Sequence, residues 1–163
     1  MMGAADAGPV VDVAVESPLW ASADIEPSVR NAIAAAAPAS VNGAEVSVVL
    51  TDDDRIRALN RQWRGQDHAT NVLSFPAANT VSNETPRLLG DIVIAFETTA
   101  REAEIEGKPF AHHVAHLAVH GFLHLLGYDH ESDAEAEEME RLEREILARL
   151  DVPDPYATRD TEA

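Results

Sequence analysis

Residues His120 to His130 read HGFLHLLGYDH, and the spacing of their three histidines dictates a helix, a stop and a reversal. Two histidines four apart on a helix stand one above the other on one face, so His120 and His124 can offer imidazoles to a single ion. Gly127 follows three residues later. A glycine there suits the left-handed conformation that ends a helix and turns the chain back, which brings His130 in from the far side. Three neutral ligands on a tetrahedral ion leave one position open, the arrangement of a catalytic rather than a closed structural zinc site. The stretch therefore predicts metal ligation by His120, His124 and His130, and chemistry at the ion.

The chain has seven histidines, and the rest must be weighed against this group. His112, His116, His120 and His124 form a continuous i, i+4 row, so spacing alone offers several pairs, but only the last pair has a return ligand. His116, one turn before His120, is expected either to hydrogen-bond to a neighbour of the site or to pack. His113 points elsewhere and reads as structural. His68 sits in a polar loop, where exposure is the default, and is given no role.

A chain of 163 residues fits one domain, expected to run to about residue 150 with a loosely ordered tail over 151–163. Domains of that size bury roughly 68 to 70% of their surface, so the fold does not need a metal for stability and a bound ion is expected to be functional. There is no cysteine, which removes disulfides and thiolate zinc sites. With no basic-then-apolar leader and no long apolar run, a cytoplasmic protein without membrane contact is expected. The formal net charge of −17 argues against general coating of nucleic acid and against a DNA partner, while leaving room for a local basic site. Arg55, Arg57, Arg61 and Arg64 supply such a cluster. It can be a solvated face balancing Asp52 to Asp54, or a set of planar forks for phosphate oxygens.

Periodicity predicts strands over Val10–Val15 and Glu45–Leu50, the latter alternating Val46, Val48 and Leu50 inward. Further strands are expected over Thr70–Phe75 and Asp91–Phe96, paired as a hairpin with a long connection whose tip lies near Asn79 to Thr85. Helices are expected over Pro27–Ala37, from Thr51 or Asp52 to Trp63, over Glu97–Glu106, from Pro109 to about Leu126 and over Asp133–Leu150. In the second of these, Ile56, Leu59 and Trp63 form the apolar side. In the last, Met139, Leu142, Ile146 and Leu150 face the core while Glu135, Glu137, Glu138, Glu140 and Glu143 are expected in solvent. The fold class is α+β: a single domain with a small mixed sheet of about four strands, helices packed on it and a metal cleft at one edge.

The histidine spacing also matches the metzincin protease pattern HExxHxxGxxH except at its second residue. Gly121 stands where the proteases carry the glutamate that takes a proton from water. A site without that base must rely on the metal to acidify water, on another carboxylate such as Asp129 or Glu131, or on a nucleophile within the substrate. RNA carries one, its 2′-hydroxyl.

Three ordered blocks, LNRQWRGQDHATNVLSFP at 59–76, LLGDIVIA at 88–95 and HGFLHLLGYDH at 120–130, resemble the bacterial YbeY family. The resemblance extends over about Val10 to Tyr156. It implies a single-strand-specific, zinc-dependent endoribonuclease acting in 3′-end maturation of small-subunit ribosomal RNA and in ribosome quality control, holding one Zn²⁺ on His120, His124 and His130. It also implies a functional arginine at Arg64, whose guanidinium would hold the scissile phosphate or stabilise its developing charge. Ribosomal RNA and the small ribosomal subunit are the implied partners, with an assembly-factor protein as a further one. Gln66, Asp67 and His68 depart from the more basic character of the family pattern. Two other readings stand beside this one: a noncatalytic ribosome-assembly protein with a structural zinc, and a metzincin-like metalloprotease.

Overall fold

A computed structural model describes residues 8–77 and 87–156. Strands β1 (Val10–Val15), β2 (Glu45–Thr51), β3 (Val72–Pro76) and β4 (Leu88–Ala95) form one sheet in the order β1-β2-β4-β3. The first two pairings are parallel and the last is antiparallel, so the sheet is mixed, as expected. The tip predicted near Asn79 to Thr85 lies outside the described residues. Five helices accompany the sheet among the described residues: α1 (Glu26–Ala36), α2 (Asp53–Arg64), α3 (Phe96–Glu106), α4 (Phe110–Leu125) and α5 (Asp133–Arg149). None is long and apolar enough to cross a membrane.

Alternation along the strands divides the helices between the two faces of the sheet. Val46, Val48, Leu50, Ile92 and Ile94 pack with Val29 and Ile33 of α1, Val119 and Phe122 of α4, and Met139 and Leu147 of α5 in the main core. Val93, Ala95 and Leu73 point the other way and meet Ile56 and Leu59 of α2 in a smaller cluster. The helix bearing the histidines thus lies on one face and the helix bearing the arginines on the other, both over the β3 side of the sheet.

Two expectations change for visible reasons. Phe96 starts α3 instead of ending β4, because its ring joins an aromatic cluster, 5.2 Å from both Trp20 and Phe110 between centroids. Trp63 was expected on the buried side of α2 with Ile56 and Leu59, yet it is 64% exposed. It occupies the last turn of the helix, where its ring meets Phe75 of β3 at 6.4 Å and no further layer covers it.

The N-terminus of α2 is locked to α3 by reciprocal capping. Asp53 Oδ1 accepts from the Thr98 N–H at 3.1 Å and hydroxyl at 2.8 Å, while Glu97 Oε1 accepts from the Asp53 N–H at 2.8 Å. Such caps satisfy helix-end donors that otherwise have no partner and fix the entry angle of both helices. Ser132 and Glu135 form a capping box that starts α5.

Candidate metal centre

Helix α4 stops where the glycine predicts. Gly127 has φ of +105°, its N–H donates to the His124 carbonyl at 3.0 Å, and the Tyr128 N–H donates to the Leu123 carbonyl at 3.1 Å. This pair of bonds is the Schellman closure, which consumes two open carbonyls and reverses the chain. His130 returns over the face that carries His120 and His124. One ring nitrogen from each of the three lies within 4.8 Å of the others, a grouping that can hold a metal ion.

Hydrogen bonds at the outer edge of the rings decide which nitrogens face inward. The His124 Nδ1–H donates to the Tyr128 carbonyl at 3.0 Å, and a carbonyl only accepts. His120 Nδ1 lies 2.7 Å from Glu143 Oε2, again a donor to an acceptor. In the neutral rings both Nε2 atoms therefore carry lone pairs, and they face each other at 3.2 Å. Two lone pairs at that distance repel unless a cation lies beside both. With zinc–nitrogen bonds of about 2.0–2.1 Å, tetrahedral geometry sets ligand nitrogens roughly 3.3–3.4 Å apart, so the donor pair fits such an ion. Burial, foremost, and the neighbouring charge of His120 push His124 below the ordinary histidine value, which favours the neutral, ligating ring.

Glu143 corrects the expectation of a solvated residue, since its side chain is only 1% exposed. Its Oε1 accepts from His116 Nε2 at 2.7 Å and from the Tyr156 hydroxyl, and its Oε2 accepts from His120 Nδ1. Burial raises its pKa, but hydrogen bonds from His116 and His120, reinforced by their charge, prevail and hold it at about 2. A carboxylate on the far nitrogen of a ligating histidine fixes the ring and makes it a better donor. Periodicity places Glu143 within the apolar stripe of α5, with Met139, Ile146 and Leu147, and only its charge argues for solvent at such a position. The sequence signal available was the row itself: His116 and His120 on one face call for an acceptor.

Gly121 has a steric reason to be glycine. A Cβ there would stand 2.8 Å from Ile92 Cγ2 and 3.0 Å from Ser74 Oγ, and the Ser74 hydroxyl donates to the Gly121 carbonyl at 3.0 Å. Any side chain at 121 points into the sheet. The base of the protease pattern is thus missing from a position that does not face the ion in this fold.

The other candidates fall as follows. His116 is a hydrogen-bonding neighbour of the site, and His113 is buried with its Nε2 2.8 Å from Glu102. His112 and His116 line a cleft that runs from His120 to Lys108 and is flanked by Tyr156. His68 is exposed and hydrogen-bonds to Gln66 and Ala69 within its own loop. Asp129 and Glu131 are exposed beside His130. Arg64 does not join the histidine cluster: it ends α2 on the opposite face, exposed, with no hydrogen bond or ion pair to the described residues. The separation is one strand thick, because consecutive residues of β3 touch both sides, Phe75 against Trp63 and Ser74 against Gly121.

The family model described as "Endoribonuclease YbeY" matches residues 16–151. Proteins of that name from Rhodopseudomonas palustris strain CGA009 and Bradyrhizobium sp. strain BTAi1 are 58% and 57% identical to the chain. The first alignment covers 94% of this chain and 84% of the relative, the second 93% and 95%. The solution structure of TM1509 from Thermotoga maritima aligns with a TM-score of 0.48 at 25% identity, over 86% of this chain and 91% of that one. A family match that takes in β2, β3 and β4, the arginine helix and all three histidines leaves one assignment: the chain belongs to the endoribonuclease YbeY family.

Proposed function

We propose that this chain is a zinc-dependent endoribonuclease that cuts single-stranded RNA at the His120, His124 and His130 centre, with small-subunit ribosomal RNA as its substrate. The observation that carries the reading is the pair of inward Nε2 lone pairs, each fixed by a hydrogen bond on its Nδ1 side. Zinc, when bound, supplies Lewis acidity toward a phosphate oxygen or water. Glu143 and the Tyr128 carbonyl keep the two helix imidazoles oriented before substrate arrives, so little reorganisation accompanies the reaction.

Arg64 is the phosphate-binding group in this reading. Its guanidinium is unpaired among the described residues and offers two parallel N–H donors; RNA that wraps the edge strand β3 would bring a phosphate to it from the histidine side, where the fork holds the phosphate and neutralises charge as the phosphorus becomes five-coordinate. Gly121 cannot take a proton, so an exposed carboxylate, Asp129 or Glu131, accepts one from the nucleophile, which is either water or the RNA's own 2′-hydroxyl. Water attack leaves a 5′-phosphate and a 3′-hydroxyl; attack by the 2′-hydroxyl leaves a cyclic phosphate and a 5′-hydroxyl. Action in 3′-end maturation and quality control on ribosomal particles, in the cytoplasm and with an assembly-factor partner, completes the reading.

The test is cleavage of end-labelled single-stranded RNA beside metal analysis of the same preparation. Wild type is expected to cut RNA with about one zinc per chain. His124→Ala is expected to lose both, and Arg64→Lys to keep the metal while kcat falls roughly 10²–10³-fold, the cost of one charge-stabilising donor. Zinc-loaded, folded wild type that leaves RNA intact would favour a structural ion, and cleavage of unfolded casein instead would favour a peptidase.

A further inference from the structure

Helix α2 buries Ile56 completely and Leu59 in part against the sheet, and Trp63 continues the same stripe one turn further. The sheet ends before the stripe does. The indole overhangs β3, the edge strand, supported by Phe75 and still 64% exposed. A large aromatic ring in water on an otherwise polar helix has no role in the core.

Its surroundings are cationic and selectively so. Arg55 pairs with Asp52 at 2.6 Å and Arg57 with Asp67 at 2.8 Å, which engages the two arginines nearer the helix start. The side chains of Arg61 and Arg64, in the same turn as Trp63, have no hydrogen bond or ion pair among the described residues, although Arg61 lies in the field of Asp67. An exposed aromatic ring on a helix turn that also carries guanidinium groups outside any ion pair is the combination that holds single-stranded nucleic acid: the ring stacks a base and the cations take the adjoining phosphates. Only the edge strand β3 separates the platform from the histidine helix, because Phe75 beneath the indole is next in sequence to Ser74, which bonds to Gly121 on the other face.

From this arrangement we propose that Trp63 is a positioning residue, the platform on which a base of the RNA strand stacks while Arg61 and Arg64 hold the backbone beside it. The proposal rests on the RNA reading above and adds where the strand is gripped. Stacking accepts any base, since each has a π-face, so the platform sets affinity and register and leaves sequence preference to other contacts.

The two tryptophans make a direct test feasible. Trp20 is 4% exposed and donates its indole N–H to the Thr51 carbonyl, so an added oligonucleotide can reach only Trp63. The metal-loaded full chain is mixed in a stopped-flow fluorimeter with a uridine-rich single-stranded RNA, and quenching is read before cleavage proceeds. Wild type is expected to be quenched in proportion to bound RNA. Trp63→Ala is expected to keep the thermal midpoint, raise the dissociation constant and KM roughly 5- to 100-fold and leave kcat within a few-fold. Trp63→Phe, which keeps a ring, is expected to recover most of the affinity. Wild type that binds and cuts RNA with no change in tryptophan emission, or a Trp63→Ala KM within two-fold of wild type, overturns the platform while leaving the nuclease reading intact. Wild type that neither binds nor cuts RNA overturns both.

Discussion

The carboxylate of Glu143 bridges two histidines of one helix, with Oε1 2.7 Å from His116 Nε2 and Oε2 2.7 Å from His120 Nδ1. Because His120 belongs to the histidine group that could hold a metal ion, an acid on α5 holds a candidate ligand on α4 from behind. Glu143→Gln keeps the shape but places an amide N–H₂ against at least one histidine donor. Zinc affinity is expected to fall about 10- to 100-fold, the usual effect of removing such a partner. Competition with a chromophoric chelator measures it, with far-ultraviolet circular dichroism as the control for folding. An unchanged affinity in a folded variant would show that Glu143 serves packing alone.

Gly121→Ala sets two effects against each other. Alanine in a helix gains about 1 kcal/mol over glycine. Overpacking costs typically 1–3 kcal/mol, and the obstructing atom belongs to Ile92, which is fully buried and branched at Cβ, so it has little room to yield. The net expectation is destabilisation of roughly 1 kcal/mol, read from urea unfolding midpoints. Gly121→Glu, which restores the protease pattern, is expected to be destabilised further and to show no cleavage of casein, because the added carboxylate enters the sheet.

Acid sensitivity should trace in part to His113. Burial, opposed by its hydrogen bond to Glu102, pushes this ring below the ordinary histidine value of 6.5. With the folded pKa depressed, the unfolded chain takes up the proton first as pH falls. The contribution is therefore complete above about 6.5 and is lost as pH drops from there through the folded value. Thermal midpoints measured from pH 7.5 to 5 should fall more steeply for wild type than for His113→Gln. Parallel curves would show that His113 titrates as it does in the unfolded chain.

Local pattern made much of this protein legible. The row His120, His124 and His130 with Gly127 could be read directly because a helix, a left-handed glycine and a short return loop are all short-range structures, and their geometry follows from spacing. The strands over Val10–Val15 and Glu45–Thr51 were legible for the same reason, while Phe96 and Trp63 were misplaced because each answers to a neighbour far away in sequence, Trp20 and Phe110 for one and the edge of the sheet for the other.

By itself, then, the sequence determined the spacing that brings His120, His124 and His130 together, the helix stop and the mixed α+β character, since these depend on contacts within a few residues. Only the tertiary structure decided the strand order, the direction in which Gly121 faces and the burial of Glu143. The physical reason is the same in each case. Docking α5 against α4 converts an acid within an amphipathic stripe into a desolvated carboxylate held by His116, His120 and Tyr156, and seating α4 on Ile92 leaves no room for a side chain at position 121.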